Sequence, residues 1–266
     1  MLRALANPLR LVAMLPTSPR EFWDRASAIA SSRWEASRPT REWYTKTNAR
    51  DAKRVLSEVL EFTLDDKFLE PALTEISAHV CREQASCSDG AFRASYSGDS
   101  ALAGFCYAVT RTLQPRKVVE TGVCYGVTSS YILKAMEMNG EGHLDSIDLP
   151  PLGKDPDRQI GRFIPEELRS RWTLHRGASS RLLRPLLNQL GSIDLFVHDS
   201  QHTYRNMRDE FATAWPFLRA GGVLISDDVE GNVAFLELAA MPDIAATVVM
   251  EEQEKDTLLG IAIKNK

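Results

Sequence analysis

The sequence lacks any long, uninterrupted run of apolar residues. No window in its 266 residues reaches the roughly 18 consecutive apolar residues that a membrane-spanning helix requires, and Pro16 and Arg20 interrupt its apolar beginning. The same stretch is a poor secretory signal, because Pro8 and Arg10 lie where the apolar core of a signal would stand. We therefore predict a chain without a transmembrane segment, located in the cytoplasm.

Cysteine is scarce and positive charge is not in excess. The four cysteines show none of the spacings that bind zinc, which favours reduced and mainly structural thiols. The net charge is −4, so a general attraction to nucleic acid is not indicated and no nucleic-acid partner is predicted. Residues 1–50 nevertheless carry an excess of Lys and Arg, which makes this segment a candidate for contact with an acidic partner.

The N-terminal part of the chain, residues 1–95, lacks the alternation that is typical of strands. Helical spacing over 50–62 and 68–82 predicts a helical extension, which either caps a substrate pocket or simply packs on the following domain. A short apolar series at helical spacing permits peripheral membrane contact or a homodimer contact, although Pro8 argues against one continuous helix. The residues of this series are Leu2, Leu5, Leu9 and Val12.

Residues 96–266 alternate short β-rich runs with helical patterns, which is typical of a parallel α/β sheet. Five strands, each ending in a polar residue, are predicted at 118–120, 144–148, 172–175, 194–198 and 223–226. The crossover helices are predicted at 127–138, 180–190 and 203–218. Two further runs, 245–250 and 258–263, predict an antiparallel hairpin at the sheet edge, which brings the sheet to seven strands.

The strongest local pattern follows the first predicted strand. There Glu120 precedes Gly122 and Gly126, and a predicted helix begins next, so the backbone can approach a ligand and the helix offers free N–H groups. The G-x-G-x-x-G spacing of a dinucleotide site is absent, and Glu120 suits a cationic ligand better than a phosphate. Asp148 ends the second strand, where a carboxylate can accept both hydroxyls of a ribose. An adenosyl group with a cationic amino-acid tail, S-adenosylmethionine (SAM), fits this combination.

This stretch resembles motif I of the class I SAM-dependent methyltransferases, whose fold is a seven-stranded Rossmann-like sheet with a terminal antiparallel strand. The resemblance implies that Thr128 meets the methionine carboxylate, that Asp148 holds the ribose, and that Ala178 and Ser179 flank the adenine. For Tyr125, contact with the cofactor and a purely structural role are equally open. The full set implied for the cofactor site is Glu120, Gly122, Tyr125, Gly126, Thr128, Asp148, Ala178, Ser179 and Asp199.

Carboxylates also follow the fourth and fifth predicted strands. Asp199 follows one of them, and Asp227 and Asp228 follow the other. Because the carboxyl ends of parallel strands share one edge, we expect the three acids to converge beside the cofactor. Oxygen ligands of this kind suit Mg²⁺, with Mn²⁺ or Ca²⁺ as alternatives. His198 should face away from Asp199, which leaves it either a structural role or a supporting role behind the site residues.

Over residues 96–266 the chain resembles the divalent-metal-dependent small-molecule O-methyltransferases of the catechol, caffeoyl-CoA and macrolide-sugar types. In the first two, Asp-x-x-Lys follows the fourth strand and Asp-Asn the fifth, where this chain has Asp199-Ser-Gln-His202 and Asp227-Asp228. The resemblance implies a metal on the three aspartates and a general base at the lysine position, here His202. Histidine suits that role, because its ordinary pKa of about 6.5 lets it accept a proton near neutral pH.

The predicted function is therefore SAM-dependent methyl transfer to a hydroxyl of a small molecule or sugar, assisted by a divalent cation and a histidine base. Two alternatives stay open at this point: a protein that binds SAM without turnover, and a hydroxylase-like enzyme on the same scaffold, because a fold does not fix its chemistry. The related enzymes imply that residues 1–95 and 150–170 select the substrate, and neither segment carries a recognisable code.

Overall fold

A computed structural model describes residues 8–35, 41–61, 63–87, 100–150, 152, 156–252 and 257–266, so the predicted domain boundary between residues 95 and 96 lies outside the described residues. The helices described are α1 (Pro8–Ala13), α2 (Pro19–Trp34), α3 (Ala49–Leu60), α4 (Asp65–Phe68), α5 (Pro71–Ser86), α6 (Ser100–Leu113), α7 (Val127–Asn139), α8 (Pro156–Gln159), α9 (Ser179–Leu190), α10 (Tyr204–Ala214) and α11 (Ala234–Ala239). The strands are β1 (Lys117–Thr121), β2 (His143–Asp148), β3 (Trp172–Arg176), β4 (Ile193–His198), β5 (Leu218–Ser226), β6 (Ile244–Glu252) and β7 (Thr257–Lys264).

All seven strands form one sheet in the order β3-β2-β1-β4-β5-β7-β6. Strands β1 to β5 run parallel, whereas β7 pairs antiparallel with both β5 and β6. The predicted α/β fold, a mostly parallel seven-stranded sheet with a terminal antiparallel hairpin and helices before it, is confirmed. In this order β1 and β4 are neighbours at the centre, so the ends of these two strands lie side by side.

Helices cover the sheet on both faces, and alternate residues of each strand pack into opposite apolar layers. In β1, for example, Val118 belongs to one layer and Val119 to the other. Helices α6 and α7 complete the first layer, and α9 and α10 complete the second. Helix α3 adds Leu56, fully buried, to the first layer, and burial of such a side chain is worth about 1.5–3 kcal/mol. The N-terminal helices therefore share the core of the sheet.

Helix α2 lies against the carboxyl-terminal edge of the sheet. Its Glu21 accepts a hydrogen bond from Arg176 at the end of β3 (2.8 Å), and its Ala28 carbonyl accepts one from Gln201 in the loop after β4 (2.8 Å). These two contacts join α2 to both sides of the central strand ends.

The predicted N-terminal surface contacts are only partly described. Leu2 and Leu5 lie outside the described residues, whereas Val12 in α1 is 61% exposed. Peripheral membrane contact and a homodimer therefore stay predictions. Among the helices described here, none is both long and apolar enough to cross a membrane.

One helix boundary differs from the prediction. A helix was expected over 203–218, but α10 ends at Ala214, a 3₁₀ turn follows, and β5 begins at Leu218. Pro216 accounts for the difference, because its ring nitrogen has no proton to continue the helical hydrogen bonds.

Candidate active site

Gly122, in the turn after β1, lies where the predicted cofactor half of the site, at the ends of β1 to β3, meets the predicted catalytic half, at the ends of β4 and β5. Its φ is +85°, and a Cβ atom there would lie well inside contact distance of the Asp199 carbonyl and 2.8 Å from Ser200 N. Only glycine fits this combination of conformation and close approach. The side of Gly122 where a side chain would stand is thus occupied by the loop after β4, a part of the chain itself.

Gly126 immediately precedes α7 and also has a left-handed backbone, with φ +87°. A Cβ at this position would lie 2.8 Å from both the Gly161 Cα and the Ile164 side chain, so this glycine permits close packing of the 160–164 segment. Tyr125 stacks on Phe163 with ring centroids 4.8 Å apart and is buried, a contact in keeping with the structural role left open for it.

Thr128 lies in the first turn of α7, where the methionine carboxylate was predicted to bind. Its hydroxyl is buried and has no hydrogen-bond partner among the described residues. A buried hydroxyl without a partner is unusual, because most such groups are satisfied by protein or water. Thr128 therefore has a polar atom to offer a ligand at the N-terminus of this helix.

The side chain of Glu120 is fully buried. Its Oε2 accepts hydrogen bonds from Ser129 of α7 (2.6 Å) and Ser146 of β2 (2.7 Å), while Oε1 is buried without a partner among the described residues. Burial raises the pKa of Glu120 to about 7, although the two serine hydroxyls act in the opposite direction. The observed contacts make Glu120 a tie between β1, β2 and α7, and its direct contact with SAM stays a prediction.

Asp148 at the end of β2 folds back on the turn after β1. Its Oδ2 accepts the backbone N–H groups of Val123 (3.2 Å) and Cys124 (2.9 Å), which closes this turn against β2. Burial raises the pKa of Asp148 to about 6, whereas these backbone donors and the positive charge of Arg25 in α2 lower it. Arg25 is itself buried, so α2 brings a cation close to the predicted ribose site.

The predicted adenine-flanking residues begin α9. Ala178 is the residue before the helix, with extended backbone, and Ser179 is its first residue. Gly177 N donates to Asp148 O (2.8 Å), so this turn lies directly beside the predicted ribose site. The placement brings all the predicted cofactor residues except Asp199 to the ends of β1, β2 and β3.

Asp199, His202 and Asp227 come together at the ends of β4 and β5. One ligand atom of each, a carboxylate oxygen or an imidazole nitrogen, lies within 4.8 Å of the other two. The backbone explains the approach, because Asp227 N donates to His198 O (2.9 Å) and Asp199 N donates to Thr121 O (2.8 Å). Two carboxylates and an imidazole are a donor set that suits a divalent cation.

Asp228, predicted as the third carboxylate ligand, lies beside this group and contacts His202, and its role as a metal ligand stays a prediction. Its Oδ2 is 2.9 Å from His202 Nδ1, while His202 Nε2 is 3.8 Å from Asp199 Oδ1. Burial by itself would lower the pKa of His202, but the charges of Asp228, Asp227 and Asp199 raise it to about 10. With no other cation present, these carboxylates therefore keep His202 protonated at neutral pH, and a protonated imidazole is not a base.

Glu210, on the buried side of α10, was missed by the sequence reasoning. Burial alone would raise its pKa, but the attraction of His198 and hydrogen bonds from His198, Ser179 and Thr121 lower it to about 2. A signal was present, because Glu210 interrupts an apolar stripe at helical spacing. The buried members of this stripe are Met207, Glu210, Phe211 and Ala214.

A family model described as a methyltransferase domain matches residues 119–229, from β1 to the turn that follows Asp228. This range contains both halves of the site. Together with the fold, the match confirms the resemblance to the class I SAM-dependent methyltransferases that the sequence suggested, with their Rossmann-like sheet. Residues 119–229 are thus similar to a methyltransferase domain.

Solved structures with the same fold include three methyltransferases. The O-methyltransferase from Bacillus cereus, in complex with SAH, is 18% identical, with 81% of this chain and 97% of that chain covered and a TM-score of 0.54. The O-methyltransferase TomG from Streptomyces achromogenes, involved in tomaymycin synthesis and in complex with SAM, is 16% identical, with 74% and 91% covered and a TM-score of 0.54. The SAH-bound methyltransferase PaMTH1 from Podospora anserina is 14% identical, with 84% and 99% covered and a TM-score of 0.54. No curated protein sequence matches this chain.

Proposed function

We propose that this protein is a SAM-dependent O-methyltransferase that acts on a hydroxyl group of a small molecule or sugar. The observation that carries the proposal is the convergence of Asp199, His202 and Asp227 beside the turn that contains Gly122. Methyl transfer to a hydroxyl needs a base close to the methyl donor, and this arrangement brings an imidazole to the predicted cofactor turn. Two of the structures with the same fold, from Bacillus cereus and Streptomyces achromogenes, are O-methyltransferases bound to SAH or SAM.

The residues fit a divalent cation, which belongs to the proposal. Asp199 and Asp227 would hold it, because their carboxylates face a common point with His202 and the surplus negative charge there raises the pKa of His202. A divalent cation on these carboxylates would supply the positive charge that lowers the pKa of both a substrate hydroxyl and His202. Mg²⁺ is the proposed ion, with Mn²⁺ or Ca²⁺ as alternatives.

In this proposal His202 accepts the proton of the substrate hydroxyl at Nε2. Asp228 orients the ring, because its hydrogen bond to Nδ1 favours the tautomer that carries its proton on that nitrogen and leaves Nε2 free to accept one. The hydroxyl oxygen attacks the methyl carbon in line while the bond from that carbon to the SAM sulfur breaks, so that SAH leaves. The chain contributes mainly by holding the oxygen and the methyl carbon about 3–3.5 Å apart. The transfer needs no covalent intermediate with the protein.

A cap formed by the N-terminal helices, from residues 1–95, is the second part of the proposal. Its support is the position of α2 along the same edge as the site. Asp24 of α2 pairs with Arg181 of α9 (2.7 Å), and Gln201, between Asp199 and His202 in sequence, donates to the Ala28 carbonyl. Such a cap would cover the cofactor and narrow the choice of substrate.

The experiment that tests this function is a calorimetric titration of SAM into metal-free protein, with and without Mg²⁺, followed by methyl transfer to a library of hydroxyl compounds. We expect SAM to bind and at least one hydroxyl compound to be methylated. Binding of SAM without any transfer would favour the non-catalytic alternative. Absence of SAM binding under both conditions would contradict the proposal and leave room for a hydroxylase-like enzyme on this scaffold.

A separate titration decides between base and ligand for His202, because an imidazole that binds the cation through Nε2 cannot also accept the substrate proton. Mn²⁺ affinity, measured by electron paramagnetic resonance, should fall strongly in Asp199→Asn and stay within about threefold of wild type in His202→Gln. An equal loss in the two variants would make His202 a ligand and exclude it as the base.

A further inference from the structure

Glu210 is a fully buried carboxylate that the proposed chemistry does not use. Its Oε2 accepts hydrogen bonds from Thr121 Oγ1 (2.5 Å) and His198 Nδ1 (2.7 Å). Its Oε1 accepts hydrogen bonds from Ser200 Oγ (2.8 Å) and Asn206 Nδ2 (3.0 Å). Ser179 of α9 also donates to this carboxylate, which is only 2% exposed.

The donors come from β1, β4, the loop after β4, α9 and α10. Thr121 ends β1, His198 ends β4, and Ser200 lies in the loop after β4, where it stands between the proposed ligand and base in sequence. Asn206 also donates to the Gln201 carbonyl (3.0 Å), which holds the same loop at a second point. Glu210 therefore ties the two central strands to the loop that carries Asp199 and His202.

His198 extends this tie to His202 directly. With Nδ1 bonded to Glu210, the imidazole of His198 stands edge to face with that of His202, with ring centroids 5.4 Å apart and planes at 70°. The second neighbour of His202 is Asp228, which bonds to its Nδ1. The orientation of His202 is therefore fixed by a hydrogen bond to one neighbour and by ring packing against another.

We propose that Glu210 is a positioning residue: acting through His198, Ser200 and Asn206, it sets the geometry of Asp199 and His202 without touching substrate or cofactor. The proposal rests on the proposed function, because it assigns Glu210 to the cation and base site of that reaction. His198, expected from the sequence to have a structural or supporting role, becomes the link between Glu210 and His202. This arrangement needs a carboxylate at position 210, because both of its oxygens accept hydrogen bonds.

The critical substitution is Glu210→Gln, which keeps the size of the side chain but replaces one accepting oxygen by an NH₂ group. An amide can satisfy the donors at one end only, and its NH₂ group would confront either Thr121 and His198 or the NH₂ group of Asn206. Glu210→Asp keeps both accepting oxygens and should restore part of the wild-type behaviour.

A matched control is available on β2. Asp145, 8% exposed, accepts a hydrogen bond from His175 Nε2 (2.7 Å), so Asp145→Asn alters a second carboxylate–histidine pair away from the ends of β4 and β5. A loss caused by general destabilisation should appear in both variants. A loss caused by displaced site residues should appear in Glu210→Gln alone.

The experiment measures two properties of each variant in its folded state, as judged by circular dichroism. The first is Mn²⁺ affinity without other ligands, by electron paramagnetic resonance. We expect a tenfold to hundredfold loss in Glu210→Gln, the range typical for residues that orient metal ligands, a smaller loss in Glu210→Asp, and less than a threefold change in Asp145→Asn. The second is the set of ¹⁵N chemical shifts of His202, which report its tautomer and should change in Glu210→Gln but not in Asp145→Asn.

The outcomes separate this proposal from the proposed function. If the wild-type protein binds no Mn²⁺, the cation is excluded from the proposed function, and the ¹⁵N shifts of His202 alone decide on Glu210. If Glu210→Gln does not fold, His198→Asn replaces it, since an asparagine keeps a donor near the Nδ1 position but removes the ring that packs on His202. Wild-type Mn²⁺ affinity and wild-type His202 shifts in the folded variant would overturn the positioning role.

Discussion

The carboxylates of the cofactor half of the site, at the ends of β1 to β3, differ in their surroundings from those of the catalytic half, at the ends of β4 and β5. In the cofactor half, Glu120 is bonded to two serine hydroxyls and Asp148 to two backbone N–H groups, so both acids hold the chain together. In the catalytic half, Asp199 and Asp227 face a common point, and with Asp228 they keep His202 protonated. Three carboxylates that share one imidazole leave a surplus of negative charge that favours a cation, whereas carboxylates that accept serine or backbone donors hold a turn in place. The predictions below test this difference.

The largest expected effect is that of Gly122→Ala, because Gly122 joins the two halves. The added Cβ would collide with the Asp199 backbone in addition to the strain at φ +85°, so we expect the free energy of unfolding to fall by more than about 3 kcal/mol, with loss of both SAM and Mn²⁺ binding. The measurement is urea unfolding followed by circular dichroism.

Gly140→Ala is the matched control for that variant. Gly140 has a similar φ of +77°, but a Cβ there would meet nothing within 4 Å. Its cost should be that of the left-handed backbone alone, about 1–2 kcal/mol. Equal losses in the two variants would mean that the close approach of the Asp199 loop contributes nothing.

The second prediction is that the catalytic half binds the divalent cation and the cofactor half binds SAM, so that one substitution in each half weakens only one of the two affinities. Asp199→Asn should reduce Mn²⁺ affinity at least a hundredfold, because a direct ligand matters more than the residues that orient it, and should leave SAM affinity within about threefold. Asp148→Ala should do the reverse, with at least a tenfold loss of SAM affinity, because it removes the acceptor of the Val123 and Cys124 N–H groups. Calorimetry measures SAM, and electron paramagnetic resonance measures Mn²⁺.

Asp209→Asn is the control for both variants, since Asp209 lies on the exposed side of α10 beside Glu210. If Asp199→Asn weakened SAM and Mn²⁺ equally, the two halves would form one indivisible site. The contrast between them would then be wrong.

Much of the fold could be predicted because the strands are short apolar runs that end in polar residues. The convergence of Asp199 and Asp227 followed from the same rule, since parallel strands share one carboxyl edge. Glu210 escaped because it lies within a helix, eleven positions beyond Asp199, where an acid is usually exposed. Its partners come from β1, β4, the loop after β4, α9 and α10, and which of these elements meet is decided by the sheet order rather than by any local pattern.

The hydrogen bonds that Glu120 and Asp148 accept from their own chain could not be predicted from the sequence either. The pattern around Glu120 predicted contact with a cationic ligand, but it could not show that Ser129 and Ser146 occupy one of its oxygens. The contact between Asp228 and His202 was also not predictable. Asp228 has a left-handed backbone, with φ +49°, and only glycine in a sequence strongly indicates that conformation.

The third prediction concerns pH. Burial raises the pKa of Glu120 from 4.5 to about 7, so between these values the folded protein holds a proton that the unfolded chain has released. The contribution of Glu120 to the free energy of unfolding should therefore fall as pH rises through this range, by up to about 3 kcal/mol, and level off above pH 7, where the raised pKa of His202 continues the fall. Asp148, with a pKa raised from 3.8 to about 6, adds a contribution of the same sign and similar size at slightly lower pH.

Urea unfolding at a series of pH values tests this in wild type and Glu120→Gln. The variant should lose the fall between about pH 4.5 and 7 that Glu120 causes and keep the similar contribution of Asp148, which ends near pH 6. Glu58→Gln, on the exposed side of α3, serves as the control and should keep the full wild-type slope. An unchanged slope in Glu120→Gln would show that Glu120 stays ionised when buried.

The smallest expected effect is on the cap. Glu21 pairs with Arg176 (2.8 Å) and with the buried Arg25 (2.6 Å). Arg176→Gln removes the first pair and keeps the buried one, and because Arg176 is partly exposed, this variant should lower the free energy of unfolding by less than about 1 kcal/mol. Local opening of α2 should still become easier, and trypsin should cleave after Arg25 up to about fivefold faster, the equivalent of that energy. Glu58→Gln, which loses the exposed pair with Arg54 (3.1 Å) instead, should leave cleavage in α2 unchanged. Saturating SAM should slow cleavage in wild type if α2 covers the cofactor, and equal rates with and without SAM would separate α2 from the site.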